Sequence, residues 1–228
     1  MHNLAASWFP GMEKLWPFLW QALGETLIMV AIAGFFAALI GVPIGILLYV
    51  SQKGHMMSNP LLYSILSKII NTMRSIPFVI LIASIPWLVR AIVGTTIGLK
   101  GAIVPLIIAS FPFMAKQTEL ALQRIDPGVI EAYQAMGFSN LQIIFKVLLK
   151  DGLPGIIHAI TIMLVSLVSF SAVAGSVGGG GLGDFAIRYG YNQYKADAML
   201  VTISIILVIV FVIQAAGDRL ARYAAHEG

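Results

Sequence analysis

Five runs of this 228-residue chain carry no charged side chain: Leu27–Val50, Ser75–Val89, Gly101–Ala115, Gly152–Gly183 and Ala198–Gly217. A soluble surface would need roughly 25% charged residues to coat it. This chain has 11% charged and 59% hydrophobic residues, with a mean hydropathy of +0.91, so it is read as a membrane protein. About 20 apolar residues cross a hydrocarbon core of about 30 Å, and the first, fourth and fifth runs are long enough alone. The second and third reach only about 22 Å at the helical rise. They are expected to extend past Arg74, Arg90, Lys100 and Lys116, whose side chains would snorkel or face protein rather than lipid. The expected fold is all-α and polytopic, with five transmembrane helices and a single membrane domain over residues 1–228.

The first ~25 residues lack the basic run and short apolar core of a cleavable signal. Trp8, Phe9, Trp16, Phe18 and Trp20 precede the first charge-free run, as interfacial aromatics do. No cysteine is present, which excludes disulfides, a thiolate metal site and a lipoprotein anchor. Lysine and arginine bias orients the chain. With the region 116–151 inside, Lys53, Lys68, Arg74, Lys116, Arg124, Lys146, Lys150, Arg219 and Arg222 fall inside, against Lys14, Arg90, Lys100, Arg188 and Lys195 outside. That puts the N-terminal segment, about residues 1–20, outside and the C-terminus in the cytoplasm. The net charge of +4 follows from this topology, with no nucleic-acid footprint. No internal repeat suggests the inverted halves of a secondary transporter. With five helices, a homodimer is the natural way to enclose a pathway.

The one long polar island, Lys116 to Asp151, spells out a small docking element. Asp126 followed by Pro127 is an N-cap with proline at the first helical position, where its missing N–H costs nothing. Gly137 can take the left-handed conformation that ends a helix. Ser139-Asn140-Leu141-Gln142 reads as a capping box opening a second helix, which runs to Lys150 before Gly152 and Pro154 interrupt the chain. Ala132 and Ala135 leave a flat face that another backbone could approach, with Glu131 as a charge and Tyr133 as an aromatic anchor.

These residues resemble the EAA loop of permease subunits in binding-protein-dependent ABC importers. The family pattern is Glu-Ala-Ala, three residues, Gly, nine residues, then Ile-x-Leu-Pro. Glu131, Ala132, Gly137, Val147 and Leu149 fall in register; Tyr133 replaces the second alanine and Lys150 stands where the proline belongs. The missing proline bears on how the second helix exits, and Leu153-Pro154-Gly155 supplies a bend shortly after. The resemblance implies that Glu131, Ala132, Tyr133, Ala135 and Gly137 form a cytoplasmic coupling helix seated on a nucleotide-binding subunit. Asn71-Thr72-Met73-Arg74-Ser75-Ile76-Pro77-Phe78 and the run Ser171–Gly183 followed by Tyr189-Gly190-Tyr191 are similar to methionine-uptake permeases. The likeness covers most of residues 20–222.

What the resemblance implies is a permease subunit of an ATP-driven importer in a bacterial inner membrane, moving methionine by alternating access. Its partners would be a second copy of itself, two ATP-binding subunits, an extracytoplasmic substrate-binding protein and membrane lipid. No cofactor is expected on this chain: ATP and Mg would sit on the partner, since no G-x-x-x-x-G-K-[ST] occurs here. Gly178, Gly180 and Gly183 match G-x-G-x-x-G, but that motif works only between strand and helix. These glycines are expected to permit close packing and a turn. Alternatives within the family are a glycine-betaine or phosphonate permease; outside it, an ion-coupled carrier.

Candidate pathway or gate residues are Arg74, Pro77 and Phe78 at the second span, Ser110 and Phe113 in the third, and Ser166, Ser169 and Phe170 in the fourth. The bland reading makes Arg74 a snorkelling anchor and the serines helix-packing contacts. His158 and Met163 are read as packing residues. With no carboxylate expected mid-span, proton coupling is disfavoured, because relays use buried Asp, Glu or His chains.

Overall fold

The computed structural model describes Met12 and residues 14–226. Ten α-helices serve as landmarks among the described residues: α1 Trp16–Ser51, α2 Pro60–Ser75, α3 Phe78–Ser84, α4 Pro86–Val93, α5 Gly98–Leu122, α6 Pro127–Ala135, α7 Asn140–Ile143, α8 Leu153–Ala174, α9 Gly181–Phe185 and α10 Ala196–His226. Four of them are long and apolar enough to cross a membrane (α1, α5, α8 and α10), and the pair α2–α3, bent by 96°, makes a fifth when counted as one span. The second span is therefore not one helix across Ser75–Val89. It breaks at Ile76–Pro77 and again at Ile85, because proline lacks the N–H that would continue a helix.

One further boundary differs from the sequence reading. α1 begins at Trp16, eleven residues ahead of Leu27, so Trp16, Phe18 and Trp20 sit on the helix rather than before it. Trp8 and Phe9 lie outside the described residues. α5 extends past Lys100 and Lys116, as expected, and ends at Leu122. The polar island therefore starts after α5, and Lys116 and Glu119 belong to a membrane-spanning helix.

The chain forms two compact units, neither contiguous in sequence. The first takes the residues up to Gly34, Pro77–Ile107 and Leu164–Val212; the second takes Phe35–Ile76, Ile108–Met163 and the residues from Ile213 on. In the first unit Leu15, Leu19 and Ala22 of α1 pack on Leu182, Phe185 and Ala198. The glycine run supplies its sharpest turn. Gly178, Gly180 and Gly181 all have φ between 76 and 90°, where only glycine is at ease. A Cβ on Gly180 would lie 2.7 Å from Glu25 Oε2, and one on Gly181 2.6 Å from Thr26 Oγ1. Those two side chains cap α9: Gly181 N–H donates to Glu25 Oε2 and Leu182 N–H to Thr26 Oγ1, both at 2.8 Å. The run is a turn and a close approach, as expected, and not a dinucleotide loop.

In the second unit Leu48, Ile70 and Ala115 form a core with Ile44, Tyr63, Leu66 and Phe111 around it. Gly41 and Gly45, a G-x-x-x-G pair on α1, let α5 approach closely. Added Cβ atoms would meet Phe111 O at 2.8 Å and Ala115 O at 2.5 Å. Helices in lipid associate through such small-residue contacts because burying apolar surface there yields no hydrophobic gain.

Candidate coupling site and pathway residues

α6 and the helix after it form as their sequence dictates. The Asp126 carboxylate accepts from Gly128 N–H at 2.8 Å with Pro127 at the first helical position. Gly137, at φ 81°, ends the turn, and Phe138 N–H returns to Tyr133 O at 3.1 Å. The Ser139–Gln142 capping box is complete: Gln142 N–H donates to Ser139 Oγ at 3.4 Å, and Ser139 N–H to Gln142 Oε1 at 2.8 Å. α7 then widens into a π-helical turn, Ile144–Leu148, before Leu149–Asp151. Gly152 stays near helical φ and ψ and Pro154 falls in the first turn of α8, so the chain is only briefly interrupted.

Burial divides the faces of this loop. Ile130 alone on α6 is buried, while Glu131, Ala132, Gln134 and Ala135 are exposed. Met136, Leu141 and Phe145 after it are exposed large apolar side chains, at 62, 66 and 67% exposure. A monomer gains nothing from presenting such residues, and apolar patches of this kind mark interaction sites. Tyr133 also makes a contact within the loop. It is half-buried and meets Phe138 edge-on at 5.1 Å, and Lys146 Nζ lies 5.1 Å from the same Phe138 ring. Its ring packs against that of Phe138 and stays partly exposed.

The candidate pathway residues fall into two groups, one in each unit. In the first, Phe78 and Phe170 stack with centroids 5.0 Å apart and planes 23° apart. Pro77 and Ser169 are exposed, and Ser166 is half-buried. In the second, the Arg74 guanidinium stands 5.8 Å from the Phe113 ring centre, within cation–π reach, while Ser110 is buried with its Oγ unpaired. His158 is half-exposed, its Nδ1 3.8 Å from Asp218 Oδ1, rather than packed away; Met163 is fully buried. Ser171 bonds its own helix, donating to Val168 O at 2.7 Å.

The sequence reading missed one polar centre. Glu119, in the last turn of α5, is fully buried. Its Oε1 accepts from Gln52 Nε2 at 2.7 Å and from the Tyr63 hydroxyl at 3.1 Å, and its Oε2 from Lys116 Nζ at 2.7 Å. All four groups lie in the second unit. A buried carboxylate so paired is satisfied, and stripping it of one partner would cost about 3–5 kcal/mol. The i,i+3 spacing of Lys116 and Glu119 was a usable signal; the other two donors, 67 and 56 residues away, were not.

The arrangement as a whole is that of a multi-helix membrane component presenting a short, capped, outward-facing helix. Residues 41–225 match the family of binding-protein-dependent transport system inner membrane components, and the chain belongs to that family. It is 46% identical over 224 residues to a probable D-methionine transport system permease protein of Vibrio cholerae, covering 98% of each chain. Against the D-methionine transport system permease protein of Escherichia coli K12 it is 47% identical over 162 residues, 70% of this chain and 75% of that one. Its fold superposes on a chain of an inward-facing crystal structure of the MetNI methionine ABC transporter with a TM-score of 0.91 at 45% identity, covering 93% of this chain and 98% of that one. An amino acid ABC transporter crystallised with histidines shares the fold at a TM-score of 0.77 and 19% identity, over 94% of this chain and 98% of that one.

Proposed function

We propose that this protein is the permease subunit of an ATP-driven importer that takes up methionine across the bacterial inner membrane. The observation that carries this reading is likeness along the whole chain to D-methionine transport permeases, 46% identity across 98% of both lengths. The superposition on a methionine ABC transporter agrees with it. Two copies of the chain enclose the pathway, two ATP-binding subunits seat on the loop side, and an extracytoplasmic binding protein delivers the substrate. ATP and Mg bind the partner subunits, where hydrolysis takes place, and this chain does no covalent chemistry. The N-terminus lies outside and the C-terminus inside, as the lysine and arginine bias favours.

In this reading Glu131, Ala132, Ala135 and Gly137 belong to the coupling helix. Its exposed face, together with Met136, Leu141 and Phe145, is what the ATPase covers. Tyr133 and Phe138 hold that helix against its neighbour, so that it moves as one body. When the ATPase subunits close, α6 is displaced, and the permease shifts between inward and outward states whose balance the partner sets. The Phe78–Phe170 stack and the Arg74–Phe113 contact are the groups most suited to line or gate the pathway.

The test is co-purification of the tagged chain from its native membrane, together with labelled methionine uptake in cells whose own methionine importers are deleted. Wild type is expected to bring down a nucleotide-binding subunit and to restore uptake that betaine and phosphonates do not compete. Glu131→Arg and Gly137→Pro should lose both partner and uptake. A wild-type chain isolated without an ATPase under gentle detergents would refute the importer reading.

A further inference from the structure

We propose that Glu119 is a positioning residue that links the coupling loop to the membrane helices through the Ser51–Asn59 turn; the proposal rests on the reading of α6 as the ATPase-docking helix. The turn joins α1 to α2 and is internally stiff. Met57 N–H donates to Val50 O at 3.1 Å and Asn59 N–H to Ser51 O at 3.0 Å, and the Asn59 side chain caps α2 by accepting from Leu62 N–H at 3.0 Å. The His55 ring meets Tyr49 edge-on at 4.5 Å. From one side the turn is held by Glu119, whose carboxylate takes Gln52 at the turn's start and Tyr63 in the first turns of α2. From the other side the coupling loop reaches it through one hydrogen bond and borders a groove with it. Asn140 Nδ2 donates to Met56 O at 3.4 Å, and Lys53, His55 and Met56 share a groove of about 520 Å³ with Ile130, Glu131 and Gln134 of α6.

A displaced α7 therefore acts on this turn through Asn140, and the turn is fixed to α5 by the Gln52–Glu119 hydrogen bond. The carboxylate matters because it holds three donors from three elements in one direction-dependent junction. Well-packed apolar side chains of similar volume would be at least as stable as a buried ion pair, but they would slide over one another. Nothing in the importer reading uses Glu119 as a proton carrier; its role is mechanical.

The experiment uses the complete importer, with both copies of this chain, its ATPase and its binding protein, in proteoliposomes. Methionine uptake and ATP hydrolysis are measured together. Glu119→Ala is expected to lower methionine moved per ATP by about tenfold, within the usual range for coupling between separated sites, while hydrolysis persists. Gln52→Leu and Asn140→Ala, which cut opposite ends of the same link and leave the Lys116–Glu119 pair intact, should each lower that ratio. Their double variant should be no worse than the stronger single one. If Glu119→Ala does not assemble, this cycle decides the matter alone. Uptake and hydrolysis falling in proportion, or two singles whose effects multiply, would overturn the proposal while leaving the importer reading intact. A wild-type complex that hydrolyses ATP but never accumulates methionine would overturn the importer reading itself.

Discussion

At the residue scale, glycine positions separate two physical effects that sequence alone merges. Gly45 faces Ala115 O and Thr118 Cβ, both 2.5 Å from where its Cβ would stand. Gly45→Ala is therefore expected to destabilise by about 1–3 kcal/mol through overpacking, read as a lower thermal unfolding midpoint in detergent. Gly24→Ala, with nothing within 4 Å, should leave the midpoint unchanged or raise it. Gly137 has open space around it but φ of 81°. Gly137→Ala should cost about 1–2 kcal/mol from left-handed strain alone, confined to the loop, where amide hydrogen exchange would detect it. The sequence pointed to Gly137 because a helix end wants such a residue at that register. It was silent on Gly45, whose importance depends on which helix comes to lie across it.

At the element scale, the caps of the polar loop were legible residue by residue. Asp126, Pro127, Ser139 and Gln142 do what their side chains do in any chain with that spacing. Ser139→Ala is expected to remove about 1 kcal/mol of local stability, seen as faster exchange at residues 140–143 with no change in the amides of α10. The Ser51–Asn59 turn was not legible, since no motif marks it. Burial of the His55 ring in that turn holds its pKa below the ordinary histidine value. The unfolded chain then binds a proton more readily than the folded chain, so this contribution is full above the ordinary histidine pKa of about 6.5 and falls as pH drops below it. Wild type should therefore lose a little stability as pH falls below the ordinary histidine value. His55→Leu should flatten that slope in pH-dependent thermal unfolding.

At the scale of the whole molecule, the stacked pair Phe78 and Phe170 is the contact most open to test as a gate. Phe78→Ala and Phe170→Ala are each expected to raise ATP-independent methionine leak in proteoliposomes. In the double variant the effects should fail to add by about 0.5–1.5 kcal/mol, as for aromatic pairs in direct contact. Additive leaks would mean that the rings act separately and the stack is only packing.

The sequence by itself determined that the chain spans a membrane several times and carries a capped helix between spans, because hydropathy over twenty residues and capping over four are local properties. It also carried the family likeness, since the Glu131–Gly137 register and the Arg74–Phe78 segment are contiguous strings. Only the tertiary structure decided that the chain breaks at Pro77 between α2 and α3, and that Tyr133 meets Phe138. It alone showed Glu25 reaching across 156 residues to cap α9, and Glu119 reaching Gln52 and Tyr63. The reason is physical. A carboxylate looks the same in a sequence whether water or a distant N–H will satisfy it, and the partner is chosen only when the helices pack.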